Sequence, residues 1–245
     1  MDKEQLYDDW VNDVCDWINV FFKKHQINDA VIQSVPSEFN HEIETMLIGI
    51  CPNEQLTKTV PSNENEWSDR NRFKSGNKGN IDEKGWWNSF FDSITDCNLK
   101  SNFSKDKTVF MNRIYSGYEG SIKGLIPELK NKGLTEYDLK EFFEKSADFT
   151  LRAIKDVFKP NLVVCLSVGW VYDYLKKRAG KNDFHEIWRG KYTKDSDSCK
   201  FNFSVGDYCG TKVIGIFHPT GARGIRTIDK ELALDFIAKH INTNN

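Results

Sequence analysis

Several polar side chains follow apolar runs in this sequence, at positions where parallel strands commonly end in a ligand site. His218 follows the run 212–217, and Asn112 ends the run 108–112. Cys51 lies in the turn after a third run. Short apolar runs bounded by turn residues are typical of buried strands. Because loops at the carboxyl ends of parallel strands line the ligand crevice of an open α/β sheet, we expect these side chains to face one pocket.

The types of these residues match the chemistry of a pocket for a nucleobase. Phe73 can stack on a ring, Asn112 can hydrogen bond to the polar edge of a base, and His218 can stabilise an anion. His218 also has a second interpretation, in which it only terminates a buried strand and Pro219-Thr220-Gly221 is only a turn.

Other common sites have no signature in the sequence. Neither G-x-G-x-x-G nor the G-x-x-x-x-G-K-[ST] loop occurs, which disfavours dinucleotide and P-loop nucleotide sites. A G-x-S-x-G nucleophile turn is also absent. The six cysteines include no C-x-x-C pair and have no histidines at zinc-finger spacing. We therefore expect buried cysteines in a reducing compartment.

Charge and hydropathy indicate where the protein works. A formal net charge of −2 over 245 residues gives no overall attraction to nucleic acid, so DNA binding has to come from a local basic face. The sequence starts acidic and amphipathic rather than with a secretory signal, and no apolar run approaches the ~20 residues that span a bilayer. We expect an intracellular, cytoplasmic protein without membrane association.

The elements that position these residues follow from apolar periodicity. Apolar residues recur at three- and four-residue spacing over 4–26, which predicts a long amphipathic helix. Thr135 and Asp138 form a capping-box pattern that predicts the start of another helix, ending at Lys159-Pro160. Buried strands are predicted over 45–51, 108–113, 161–167 and 212–217, a short helix over 86–94, and a closing helix over 228–241.

Two segments interrupt the alternation of strands and helices. Residues 53–85 are polar and rich in glycine and asparagine, and a stretch of this length is usually functional or disordered. We interpret it as a loop that covers the substrate, with a solvated insertion as the alternative. Residues 181–211 are predicted to form a small hairpin insertion that turns at Gly206-Asp207.

Four strands separated by helices predict a parallel sheet covered on both sides. We expect an α/β protein of one domain, 1–245, in which a three-layer α/β/α sandwich surrounds a central, mainly parallel four-stranded sheet. Residues 1–43 would supply an N-terminal helix and the lead-in to the sheet.

Four motifs of this chain resemble those of the uracil-DNA glycosylase superfamily. They occur in the family's order and strand context, and the similarity spans about residues 44–241. Gly76-Asn77, followed after an insertion by Trp86-Trp87, is most similar to the mismatch-specific and single-strand-selective branches. The motifs are Gly49-Ile50-Cys51-Pro52, Arg72-Phe73-Lys74-Ser75, Val109-Phe110-Met111-Asn112 and His218-Pro219-Thr220-Gly221.

The resemblance implies how a flipped base would be held. Phe73 would stack on the base, Asn112 would bind its polar edge, and His218 would face its carbonyl oxygen. Cleavage of an N-glycosidic bond leaves negative charge on the departing base, so a hydrogen-bond donor at this oxygen stabilises the transition state. The resemblance implies no metal and no cofactor. The base pocket would also include Gly49, Ile50 and Pro52.

The first motif departs from the family pattern at Cys51. The family holds the attacking water with an Asp or Asn two residues after the glycine of this motif. A thiol is a weak hydrogen-bonding group, so Cys51 is a poor substitute. Asn53 or Glu54 could take over this catalytic role, and some branches of the superfamily are active without the usual polar residue.

The family inserts a side chain into the duplex from the loop after its last motif. Arg223 is the candidate for this wedge, and Arg226 is a candidate phosphate contact. In the alternative interpretation these arginines are only solvated. The other candidate DNA contacts are Thr220, Gly221, Arg72 and Lys74.

These expectations together predict a monomeric, monofunctional DNA glycosylase. Its substrate would be a flipped uracil or a damaged or modified pyrimidine in single- or double-stranded DNA, and its product an abasic site. The role would be base excision repair or defence against viral DNA that contains modified bases. Two alternatives stay open. One is a catalytically degenerate protein of this fold that binds nucleic acid or a protein partner, and the other is a hydrolase of free nucleosides or nucleotides.

Overall fold

Five α-helices and six β-strands are formed by the residues that the computed structural model describes, which are 2–26, 43–50, 108–114, 122–218 and 224–241. In chain order they are α1 (Lys3–Lys24), β1 (Thr45–Gly49), β2 (Thr108–Asn112), α2 (Ile122–Asn131), α3 (Glu136–Arg152), β3 (Leu162–Leu166), α4 (Asp173–Ala179), β4 (Phe184–Lys194), β5 (Asp197–Tyr208), β6 (Thr211–Ile216) and α5 (Thr227–Ile241). Wider π-helical turns, Ala153–Phe158 and Val168–Tyr172, follow α3 and precede α4.

The strands form one open, mixed sheet in the order β2-β1-β3-β6-β5-β4. The first four strands are parallel, whereas β5 and β4 are antiparallel to their neighbours. The predicted α/β class and the mostly parallel sheet are therefore confirmed. The predicted number of four strands is wrong, because the hairpin expected as a small insertion continues the same sheet and brings it to six strands among the described residues.

The hairpin turn also differs from the prediction. Gly206 lies inside β5, and the chain turns between Lys194 and Asp197 instead. A Cβ on Gly206 would lie 2.6 Å from Tyr172 Oη and 2.6 Å from Phe184 Cε1. A glycine that resembled a turn signal is thus required by tight packing of two aromatic rings against the strand.

Alternate residues of the parallel strands separate into two apolar clusters, one on each face of the sheet. On one face, Met46 and Val163 pack in a cluster with α1 and α3. On the other face, Leu47 and Val164 pack in a cluster with α5. The indole Nε1 of Trp10 in α1 donates a hydrogen bond of 3.0 Å to the carbonyl oxygen of Phe149 in α3, so these two helices are also joined by a buried polar contact.

The helices illustrate what local signals predict. The capping box at the start of α3 is confirmed: Thr135 Oγ1 accepts from the Asp138 backbone N–H, and Asp138 Oδ2 accepts from the Thr135 N–H. The Thr135 hydroxyl, which also donates to Asp138 Oδ2 at 2.6 Å, and the Thr135 backbone N–H together hold the pKa of Asp138 below its usual value. By contrast, no helix was predicted over α2, which contains Pro127, a residue that is unfavourable in a helix interior. None of the helices within the described ranges is long and apolar enough to cross a membrane.

Candidate active site

The order of the strands in the sheet reverses at β1. The chain passes from β1 to its neighbour β2, and then crosses to β3 on the opposite side of β1. In open α/β sheets, ligands bind outside the carboxyl ends of the strands where the order reverses in this way. The switch point of this sheet therefore lies between β1 and β3, with β2 on one side and β6 on the other.

Asn112 and His218 both lie at this carboxyl edge. Asn112 is the last residue of β2, is 4% exposed and is in register with Gly49. His218 follows β6 by two residues. Three strand spacings separate β2 from β6, which is about 14 Å at a spacing of about 4.8 Å. Gly49 is buried and carries no side chain, so no Cβ of β1 stands beside Asn112.

Backbone hydrogen bonds continue the pairing of β1 and β2 beyond the strands themselves. Arg113 N–H donates to Gly49 O at 2.9 Å, and Ile114 N–H donates to Ile50 O at 2.9 Å. Ile50 also packs against the apolar cluster of α1 and α3. These contacts fix the backbone of Asn112 relative to the first motif.

The imidazole of His218 is held in a partly buried position. Burial lowers the pKa of His218 from its ordinary value of 6.5, so the neutral ring predominates at neutral pH. A neutral imidazole can donate through one ring nitrogen without carrying a full positive charge. Its neighbour Phe217 is buried, and the Phe217 ring lies 4.6 Å from that of Phe201 and 6.1 Å from that of Phe203.

Arg226, a predicted phosphate contact, forms an ion pair with Asp229. Its Nε and Nη2 donate to the two carboxylate oxygens at 3.0 and 2.7 Å, and Nη2 also donates to Ser198 O at 2.8 Å. Asp229 is fully buried, accepts from the backbone N–H groups of Arg226 and Lys200, and has a lowered pKa, chiefly because of the Arg226 guanidinium. Arg226 thus fixes the chain just after the segment 219–223, and a phosphate contact by this residue stays a prediction.

One buried charged residue at this edge was not among the predicted site residues. Arg113, directly after Asn112, is 0% exposed, and its guanidinium carbon lies 4.0 Å from the ring centroid of Tyr174 in α4. The Phe143 ring is 5.8 Å away. Because side chains alternate along a strand, Arg113 and Asn112 are directed to opposite faces of the sheet. The only sequence signal for Arg113 was its position as a charged residue at the end of an apolar run, and this position does not indicate that the side chain is buried.

The remaining predicted site residues lie outside the described residues, and their roles stay predictions. The predicted loop 53–85 and the predicted helix 86–94 also lie outside them. Among the described residues, no group of three or more His, Cys, Asp or Glu side chains is arranged to hold a metal ion. The site residues concerned are Cys51, Pro52, Asn53, Arg72, Phe73, Lys74, Thr220, Gly221 and Arg223.

No protein-family model matches this chain, and no curated protein matches it.

Proposed function

We propose that this protein is a DNA glycosylase with a uracil-DNA glycosylase-like α/β/α sandwich. It hydrolyses the N-glycosidic bond of a flipped uracil or modified pyrimidine and leaves an abasic site. The observation that carries this proposal is the position of Asn112 and His218, which flank the switch point of the sheet at the same edge. An amide and an imidazole at the carboxyl ends of two strands about 14 Å apart suit one planar ring between them.

The proposed chemistry assigns a different step to each side chain. Asn112 hydrogen bonds to the edge of the extruded base and so selects it. His218, neutral because burial lowers its pKa, donates to the carbonyl oxygen on which negative charge develops as the bond breaks. A donor that is already in place does not have to reorganise during the reaction, which is the main source of such stabilisation. Phe73 stacks on the base in this proposal.

The attacking water is assigned to the turn after β1. Asn53, just beyond Pro52, has an amide that can orient water, whereas the thiol of Cys51 hydrogen bonds weakly. A base that leaves readily needs less activation of water, so we propose that modified pyrimidines are better substrates than uracil.

Cys51 also favours a second candidate function. With Cys51 at the water-holding position, the protein could bind nucleic acid or a protein partner without catalysis. Purified protein incubated with oligonucleotides that each carry one uracil or one modified pyrimidine, as single and double strands, distinguishes the two candidates. Alkali-labile abasic sites at the modified position support the glycosylase. Binding without abasic sites on any substrate supports the second candidate.

A further inference from the structure

The β4–β5 hairpin extends well past the carboxyl end of β6. Ser204 of β5 pairs with Gly215 of β6, and Tyr208 pairs with Thr211, so residues 197–203 have few or no partners on β6. At about 3.4 Å per residue, this part of the hairpin projects roughly 20 Å along the strand direction. It projects at the edge of the sheet where Asn112 and His218 lie. We call residues 191–202 the overhang.

The overhang is attached to the chain that follows His218. Lys200 N–H donates to Asp229 Oδ1 at 2.9 Å, and Ser198 O accepts from Arg226 Nη2 at 2.8 Å. Lys200 Nζ lies 2.8 Å from the position that a Cβ on Gly224 would occupy. The ammonium group of Lys200 is therefore beside the point where the segment 219–223 ends.

The two faces of the overhang differ in chemistry. One face carries Cys199, which is buried against α5 together with Phe203, the residue that follows the overhang. The opposite face carries Asn202, which pairs directly with Lys191 of β4. Lys200 is exposed and lies in the irregular stretch between the Lys191–Asn202 and Thr193–Ser198 pairs. The exposed side chains of this second face, which we call the basic face, are Lys191, Thr193, Ser198, Lys200 and Asn202.

In the pairing of β4 with β5, no carboxylate stands opposite a residue of the basic face. Asp197 is on the face of Cys199, and Asp195 is in the turn. Glu186, far from the overhang, is within 2.9 Å of Lys176 and 2.7 Å of Arg189. The basic face thus combines two ammonium groups with hydroxyl and amide groups, which is the set of side chains that contacts phosphate oxygens of nucleic acid.

We propose that the basic face binds the phosphodiester backbone of the DNA whose base enters the site, through Lys191 and Lys200. This inference rests on the proposed glycosylase function, because it assumes a DNA strand at the carboxyl edge. It supplies the local positive charge that a chain with a net charge of −2 needs. A competing occupant of the hairpin is a second copy of this chain, paired along the edge strand β4.

The test replaces both lysines by glutamine, Lys191→Gln with Lys200→Gln, which removes the charge and keeps much of the length. The matched control is Lys177→Gln with Lys181→Gln, two exposed lysines that precede β4 at the opposite end of the hairpin. Binding to a duplex with one stable abasic-site analogue is measured from low to high salt. Two lost phosphate contacts should weaken binding roughly 10- to 30-fold near ~0.15 M salt and reduce the slope of log K against log salt by about 2.

Single-turnover excision at limiting enzyme should fall in the double variant in proportion to its loss of binding, and should stay at the wild-type rate in the control with Lys177→Gln and Lys181→Gln. An unchanged salt slope, with wild-type protein that does excise a base, overturns the inference and leaves the proposed function intact. Wild-type protein that neither binds nor cleaves DNA overturns both. Light scattering that shows a wild-type dimer, converted to a monomer by the double variant, assigns the hairpin to a second copy and also overturns the inference.

Discussion

Asp229 and Arg226 form a two-point ion pair in which the carboxylate is fully buried and the guanidinium reaches both of its oxygens, at 3.0 and 2.7 Å. The same carboxylate accepts from the backbone of Lys200 on β5. One side chain thus joins the start of α5, the hairpin and the chain that follows His218. The pair fixes the exit of the segment 219–223, and the end of β6 fixes its entry.

The first prediction is that Asp229→Ala lowers the free energy of unfolding by about 1–3 kcal/mol, because buried donors lose their acceptor. Asp229→Asn keeps one acceptor oxygen and should cost less. Urea unfolding at several pH values measures both. The folded-state pKa of Asp229 is below its ordinary value of 3.8, so its contribution is present above that pH and is lost as the pH falls further. A stability difference between wild type and Asp229→Asn that does not shrink on acidification would contradict this.

The second prediction concerns the protonation state of His218. If the neutral ring donates to the leaving base, the single-turnover rate should be constant from about pH 8 to 6.5 and fall only at lower pH. The rate should begin to fall only below pH 6.5, because burial lowers the pKa of His218 from that value. His218→Ala should reduce the rate roughly 10²-fold or more, as loss of an oxyanion-type donor does. Full activity of this variant, or a rate that rises on acidification, would exclude the assigned role.

The third prediction tests the packing of the hairpin on Tyr172. Gly206→Ala should destabilise the protein by roughly 1–3 kcal/mol, because the new Cβ would meet Tyr172 Oη and Phe184 Cε1 at 2.6 Å. Tyr172→Phe removes one of these contacts and should recover part of the loss. The control is Gly169→Ala, where an added Cβ meets nothing within 4 Å. Equal midpoints in urea for wild type and Gly206→Ala would show that the strand can yield at this point.

The fourth prediction concerns Arg113 and Tyr174, whose guanidinium carbon and ring centroid are 4.0 Å apart in the interior. Arg113→Lys should lower stability by about 1–2 kcal/mol, because an ammonium cannot stack its plane on the ring. The loss in the double variant with Tyr174→Leu should be smaller than the sum of the two single losses, since both substitutions remove the same contact. Strict additivity in the double-mutant cycle would mean that the stacking contributes nothing.

Local signals in the sequence predicted much of this architecture. The periodicity of α1, the capping box at Thr135 and the apolar runs of the four parallel strands all lie within single segments. The continuation of the sheet through β4 and β5 was not predicted, because strand pairing depends on contacts between distant segments. Gly206 was misinterpreted for the same reason, since its requirement comes from the ring of Tyr172.

The candidate site was predictable to a similar degree. The positions of Asn112 and His218 at the ends of strands were predictable, because each residue stands where an apolar run stops and turn residues begin. The burial of Arg113 depends on Tyr174 and Phe143, which are distant in sequence, and no local pattern indicates it. The ion pair of Arg226 with Asp229 is held by Ser198 and Lys200 of β5, which are distant in sequence, so no local pattern indicates it.

The last prediction concerns Cys51 and the choice of substrate. If Cys51 occupies the water-holding position, Cys51→Asn should raise excision of uracil on the order of 10-fold, because an amide orients water better than a thiol. The gain should be smaller for a pyrimidine with a better leaving group, which needs less activation of the water. The control is Cys209→Asn, an exposed thiol at a residue with φ of 52°, a conformation that asparagine tolerates. Single-turnover excision measures both variants on both substrates. If wild type already removes uracil efficiently and Cys51→Asn abolishes this activity, other residues hold the water and the assigned role of this turn is wrong.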